Sequence, residues 1–250
     1  MTGPRHIQPS AIAALHKTKG VLLDLDGTLV LSEDAHRQSW HAVFDAWGMS
    51  VADSEYEQYY MGRRPADALG SMPGPWAAAD IEHIIAAMTG FLLDRADTIP
   101  AVSGAADLIR RLHGQGVPVA VVTSAGTVWA QRLLEDVLKV RSLVDVVVTS
   151  EQVTHGKPSP EGYLAACRAL GVSPQQCMAF EDSLAGLRAL TAAGVRDIIG
   201  VTTTGTAASL VRAGARWTSP DLAYESIRTA AAAYDGPSAL FRNDQEGTGP

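Results

Sequence analysis

Hydrophobic positions along the chain fall into two textures. Short apolar runs rich in β-branched residues, at 21–23, 117–123, 144–149, 178–180 and 198–203, alternate with segments at 105–113, 130–137, 161–170 and 184–193 whose composition and spacing suit helices. Apolar runs bounded by polar turns predict strands buried on both faces, and their alternation with helices predicts right-handed βαβ units in a parallel sheet. The stretch from about 33 to 98 lacks such runs. Trp40, Val43, Phe44 and Trp47 stand at i, i+3, i+4 and i+7, and Ile81, Ile84, Ile85 and Met88 repeat the pattern. That periodicity predicts amphipathic helices.

The expected fold class is therefore α/β: a doubly wound parallel-sheet core with an inserted all-helical cap subdomain. The expected organisation is an N-terminal arm over 1–18, a core over 19–32 and 99–234, the cap over 33–98 and a polar, Gly- and Pro-rich tail over 235–250. The insertion leaves the core directly after the first strand, so it is placed to act as a lid, with hinges near 31–34 and 98–103.

Composition narrows the function. The 250 residues suffice for one α/β domain with an inserted subdomain, and 46% hydrophobic with 19% charged residues is a globular balance. A net charge of −7 argues against nucleic acid or an anionic membrane as partner. An anionic substrate must then be drawn in by local cations or a metal. Cys167 and Cys177 lie in apolar segments and read as buried thiols, so no disulfide is implied. Residues 1–19 hold no sustained apolar core, which argues against a signal peptide, and no run reaches the roughly 18 apolar residues of a membrane helix. The expected location is cytoplasmic.

The candidate chemistry sits where predicted strands end. The run 20–28, Gly-Val-Leu-Leu-Asp-Leu-Asp-Gly-Thr, places Asp24 and Asp26 at the carboxyl end of the first strand, where open α/β sheets bind ligands. Two carboxylates so close repel, and a hard divalent cation such as Mg²⁺ relieves that repulsion through oxygen ligands. An acidic turn after a core strand is the bland alternative. Next, the strand ending in Thr123 and Ser124 offers a hydroxyl and an amide for a phosphate oxygen, or only a helix cap. Lys157, between Gly156 and Pro158, offers a fixed ammonium, or a solvated surface lysine. Glu181 and Asp182 close a further strand, and Ser183 can cap the following helix in their place, which frees both acids for metal.

The order Asp-x-Asp-Gly-Thr, hydroxyl, Lys-Pro and Glu-Asp-Ser, each closing a strand over roughly residues 20–205, resembles the four motifs of the haloacid-dehalogenase-like superfamily. The stretches 157–160 and 180–186 resemble the subgroup containing β-phosphoglucomutase and the sugar- and polyol-phosphate phosphatases. The resemblance implies a Rossmann-like core with an α-helical cap. It also implies a Mg²⁺-dependent hydrolase of a small phosphorylated metabolite that forms an aspartyl phosphate. Asp24 would be nucleophile and metal ligand. Asp26 would be the general acid/base, with its main-chain carbonyl on the metal and its pKa raised by burial under the lid. Thr123, the Ser124 amide and Lys157 would hold the phosphoryl group, and Asp182 with Glu181 would complete the metal site.

Asp26 and the Glu181–Asp182 pair speak against a metal-free dehalogenase. A sugar phosphomutase stays open: His36 stands where the mutases carry a cap histidine, although Pro65 falls where they carry an arginine. A catalytically idle scaffold on the same fold is a further alternative. Glu33, His36, Arg63 and Arg64 are the cap residues expected to choose the substrate, with Trp40 assigned to the cap core. A monomer or small homo-oligomer is expected.

Overall fold

The computed structural model of the protein describes residues 10–232, Pro73 excepted. A short helix α1 (Ala11–Leu15) leads into strand β1 (Gly20–Leu23). Four α-helices of the insertion follow: α2 (Glu33–Ala46), α3 (Asp53–Tyr59), α4 (Pro65–Ser71) and α5 (Ile81–Leu93). Helix α6 (Ala105–Gly114), β2 (Val119–Val122), α7 (Thr127–Arg132, continued by a π turn over Leu133–Val137) and β3 (Val146–Val148) come next. The chain then runs α8 (Glu161–Leu170), β4 (Cys177–Glu181), α9 (Leu184–Ala193) and β5 (Asp197–Val201). It ends, among the described residues, with α10 (Ala207–Ala213), β6 (Trp217–Ser219), α11 (Tyr224–Thr229) and β7 (Ala231–Ala232).

The sheet order is β3-β2-β1-β4-β5-β6-β7, with all pairs parallel except β6–β7. Side chains alternate between its faces, as the two-residue period of a strand requires. Val21 and Leu23 of β1 join Val119, Val121, Met178 and Phe180 in a core shared with α1, α6, α7 and α11. Leu22 joins Ala120, Val122 and Ala179 in a second core shared with α8, α9 and α10. Helices therefore cover both faces, which is why the strand sequences are apolar throughout and not alternating.

Between β1 and α6 the helices α2–α5 make their own core from Trp40, Phe44, Tyr56, Tyr60, Leu69, Trp76, Ile84 and Met88. Trp40 is 3% exposed and belongs to it, as its helical spacing indicates. The insertion thus has a core of its own, and Ala35 of α2 and Leu92 of α5 also pack into the first sheet core and tie it to the sheet.

Two features depart from the sequence reading. Residues 10–18 are not a loose arm: Ser10 caps α1, and Ala11, Ala14 and Leu15 are buried in the sheet core. Strands β6 and β7, which extend the sheet, were not expected. Residues 1–9 and the tail 235–250 lie outside the described residues.

Strand order positions the site. The chain builds β1, β2 and β3 on one side, then returns to lay β4, β5 and β6 on the other. The reversal falls between β1 and β4, the switch point at which open sheets bind ligands. Asp24 follows β1, Thr123 follows β2, and Glu181 and Asp182 end β4.

Candidate active site

Asp24, Lys157, Glu181 and Asp182 converge at that switch point and are all nearly inaccessible to water. Lys157 donates to Asp24 Oδ1 and, at 2.8 Å, to Glu181 Oε2. The same Glu181 oxygen accepts from Tyr163 Oη at 2.5 Å, while Oε1 accepts from the Ser183 amide at 3.0 Å and its hydroxyl at 2.8 Å. These four bonds fill the lone-pair sites of the carboxylate. Glu181, expected on the metal, also holds Lys157, and one of its oxygens lies in a cluster with those of Asp24 and Asp182. Asp182 accepts only hydroxyls, from Thr28 at 2.9 Å and Thr204 at 2.6 Å. Gly27 lets the two acidic loops meet: its φ is +84°, and a Cβ there would overlap the Asp182 carboxylate.

The electrostatics call for a cation. Burial and the Glu181 charge raise the Asp24 carboxyl to about 8, although Lys157 pulls it down. Burial, then the charges of Glu181 and Asp24, push Asp182 well above the usual carboxylate range. Burial disfavours the Lys157 ammonium too, but Asp24 and Glu181 outweigh it and keep the amine protonated. Three carboxylates with one oxygen each inside a 4.8 Å cluster face a single ammonium, which leaves two negative charges when all are ionised. The all-oxygen donor set and the charge deficit suit a hard divalent cation.

Asp26 has a separate environment. Its Oδ1 lies 3.0 Å from His36 Nε2 and accepts from Ser32 Oγ at 2.7 Å and Trp129 Nε1 at 2.8 Å; its Oδ2 accepts from Thr123 Oγ1 at 3.2 Å. Burial would raise this carboxyl, but the His36 charge and the bonds from His36, Trp129 and Ser32 bring it down to about 2. The expectation of a raised pKa is therefore corrected, because burial brought a full set of donors with it. His36 responds in the opposite direction: burial disfavours its charge, and Asp26 more than compensates, so its pKa lies above 6.5. The 3.0 Å contact lets the two side chains share a proton.

The remaining candidates divide. Thr123, Ser124 and Lys157 line one small cavity of about 20 Å³ with Tyr163 and Gly156. The Ser124 hydroxyl also donates to the Gly62 carbonyl of the cap at 2.9 Å. Gly62 has φ +70°, and a Cβ there would meet Ser183 at 2.6 Å, so cap and core touch closely here. Arg63 lines a cavity of about 710 Å³ between cap and core, together with Asp26, His36 and Trp129. Arg64 reaches the wall of that cavity but spends its guanidinium on the carbonyls of Ser150 (3.3 Å), Val153 (2.8 Å) and Thr154 (2.7 Å) and on Asp67 (2.5 Å). Asp67 in turn accepts from the Gly156 amide at 2.8 Å. Arg64, expected to read substrate, thus ties the cap to the Lys157 loop while also lining the cavity. Glu33 is off the cavity wall, with Oε1 buried and unpartnered.

Sequence reasoning missed Ser32, Trp129, Tyr163 and Thr204. A buried tryptophan six residues beyond Thr123 was the available signal, since its N–H must find an acceptor. The other three carry ordinary hydroxyls with no pattern around them.

Comparison with known proteins agrees with this geometry. Residues 18–194 match the family model described as haloacid dehalogenase-like hydrolase. The chain is 36% identical over 196 residues to validoxylamine A 7'-phosphate phosphatase of Streptomyces hygroscopicus subsp. limoneus, covering 78% of this chain and 91% of that one. It is 33% identical over 182 residues to hexitol phosphatase A of Escherichia coli, covering 73% and 82%. Among solved structures, CbbY of Rhodobacter sphaeroides in complex with xylulose-(1,5)bisphosphate aligns with a TM-score of 0.70 and 29% identity, over 83% of this chain and 96% of that one. The chain belongs to the haloacid dehalogenase-like hydrolase family. Within it, the protein is a phosphoric monoester hydrolase.

Proposed function

We propose that the protein is a Mg²⁺-dependent phosphatase of a sugar or polyol phosphate, acting through an aspartyl phosphate on Asp24. The observation that carries this is the buried Asp24–Lys157–Asp182 cluster at the switch point, with Asp26 two residues on and paired to His36 of the cap. The substrate class draws on relatives named for a hexitol phosphatase and for validoxylamine A 7'-phosphate, and on one solved with xylulose-(1,5)bisphosphate.

The groups divide the work as follows. A carboxylate oxygen of Asp24 attacks phosphorus; the new O–P bond forms as the ester P–O bond breaks. Splitting the reaction at a covalent intermediate replaces one hard step by two easier ones. The leaving alkoxide takes the proton that His36 and Asp26 share. Asp26 then takes a proton from water, which attacks phosphorus and frees Asp24 and phosphate. Acid/base help of this kind is worth roughly 10²–10⁴-fold. Lys157, fixed by Glu181 and Tyr163, neutralises charge at Asp24 and on the phosphoryl oxygens, and Thr123 and Ser124 border the same space. Asp24, Asp182 and the main-chain carbonyl of Asp26 would hold Mg²⁺, which when bound neutralises charge on the transferring phosphoryl group.

The test is phosphate release from para-nitrophenyl phosphate and from hexose and hexitol phosphates. Release with Mg²⁺, and none in EDTA or in Asp24→Asn, supports the reading. Full activity in chelator would overturn it. Isomerisation of a sugar phosphate without phosphate release would give the mutase alternative instead.

A further inference from the structure

The substrate-facing cavity is larger than a simple hexitol or hexose needs. It is a cleft open to solvent of about 710 Å³, lined by Asp26 and His36 and by residues of α5. A hexose has about twelve non-hydrogen atoms. Even at the ~30 Å³ that liquid water takes per such atom, its share is roughly 360 Å³. One ring fills about half of the space, and two rings fill it.

The side of the cavity formed by α5 has its own character. Ile85, Ala86, Thr89, Gly90 and Leu93 form one face of α5 on this wall, and Val128 of α7 also lines the cavity. Val128 is 59% exposed, more than any other large hydrophobic residue among those described. Gly90 lies inside a helix, where glycine is a poor choice, and a Cβ built on it meets nothing within 4 Å. These residues leave an open, mostly apolar surface, with the Thr89 hydroxyl on it and the Glu82 carboxylate a turn before, which suits the C–H face and hydroxyls of a second sugar ring. Arg63 also lines the cavity.

We infer that the preferred substrate is a phosphate monoester on a two-ring, disaccharide-sized glycoside. The ring bearing the phosphate sits at Asp26 and His36, and the second ring lies against α5 and Val128. This rests on the sugar-phosphatase reading above and adds the size of the leaving group.

Glucose 6-phosphate and trehalose 6-phosphate test it, because they present the same primary phosphate and differ by one ring. The proposal expects kcat/KM at least about tenfold higher for trehalose 6-phosphate, and it expects Gly90→Phe to erase that advantage while glucose 6-phosphate stays within about twofold. Gly90→Phe fills the second-ring space without touching the reacting groups, and an unchanged Tm shows that it folds. Ala86→Phe on the same wall gives the same outcome. Equal or better hydrolysis of glucose 6-phosphate by the wild-type protein overturns the proposal and leaves the phosphatase reading intact. An equal loss on both esters in Gly90→Phe overturns it too. Failure to hydrolyse either ester or para-nitrophenyl phosphate removes the phosphatase reading, and this proposal with it.

Discussion

His36→Gln isolates the proton that the cap delivers to the catalytic loop. His36 Nε2 lies 3.0 Å from Asp26 Oδ1, with the two side chains 20% and 17% exposed. Glutamine retains a hydrogen-bond donor of similar reach but carries neither charge nor a transferable proton. A hydrogen bond to a charged group is worth about 1.5–3 kcal/mol net. At 1.36 kcal/mol per tenfold, that is about 10- to 150-fold in rate if the bond matters only in the transition state. The loss should appear on alkyl phosphates such as glucose 6-phosphate, whose alkoxide needs a proton. It should nearly vanish on para-nitrophenyl phosphate, whose phenolate leaves unaided. The pH profile gives a second readout. Because Asp26 raises the His36 pKa, the shared proton is kept through the ordinary imidazole range and is lost as pH rises through the raised pKa. Alkyl-ester turnover in the wild-type protein should therefore decline on the alkaline side, and His36→Gln should abolish that limb. Equal losses on both ester types, or an alkaline limb that survives the substitution, would refute the proton-sharing argument.

Three further outcomes follow from the same geometry. Arg64→Ala removes the bonds from α4 to the carbonyls of Ser150, Val153 and Thr154, so thermal unfolding should show about 1–3 kcal/mol of lost stability and turnover should fall on every ester alike; a reordered substrate ranking at unchanged Tm would instead make Arg64 a specificity residue. Glu181→Gln should lower kcat by loosening Lys157 while leaving the Mg²⁺ concentration for half-activity near its wild-type value, whereas Asp182→Asn should raise that concentration steeply; matching shifts in both would place Glu181 on the metal. The metal-free protein holds the Asp24 proton up to about 8, against 3.8 ordinarily. Between those values the folded state binds the extra proton, so stability is fullest below the lower one and is lost as pH climbs through the higher. A metal-free Tm that falls from pH 5 to pH 9, and is restored by Mg²⁺ at pH 9, is the expected result; a Tm indifferent to both would show that the cluster carries no charge deficit.

Much of the architecture was legible because apolar runs and helical spacing are local signals. Helices α8 and α9 begin and end at the residues the pattern indicates, since Gly171 and Gly194 stop them in the left-handed conformation and Ser183 caps the second. The short strands β6 and β7 carry too few residues to show a period, and α1 is held by burial against the sheet and not by its own propensity. At the site, acids at strand ends could be read from the sequence because the sheet fixes where its strand ends go. Partner choice could not. Whether Glu181 faces a metal or Lys157 depends on Tyr163, a helix residue 18 positions earlier. Whether Arg64 reads substrate or ties the cap to the core depends on carbonyls 86 to 90 positions later. The same long-range packing that buries Asp26 supplies the donors that lower its pKa, so burial alone pointed the wrong way.

The central claim is that Asp24 carries the phosphoryl group, and its most direct test is rapid-quench mass spectrometry. The protein is mixed with para-nitrophenyl phosphate and Mg²⁺, quenched in acid within one turnover, digested and mapped. The account predicts one added phosphoryl group on the peptide containing Asp24, appearing with the burst of para-nitrophenol, decaying as phosphate is released, and absent from Asp24→Asn. A burst with the label on another residue, or turnover with no phosphorylated protein at any quench time, would contradict it.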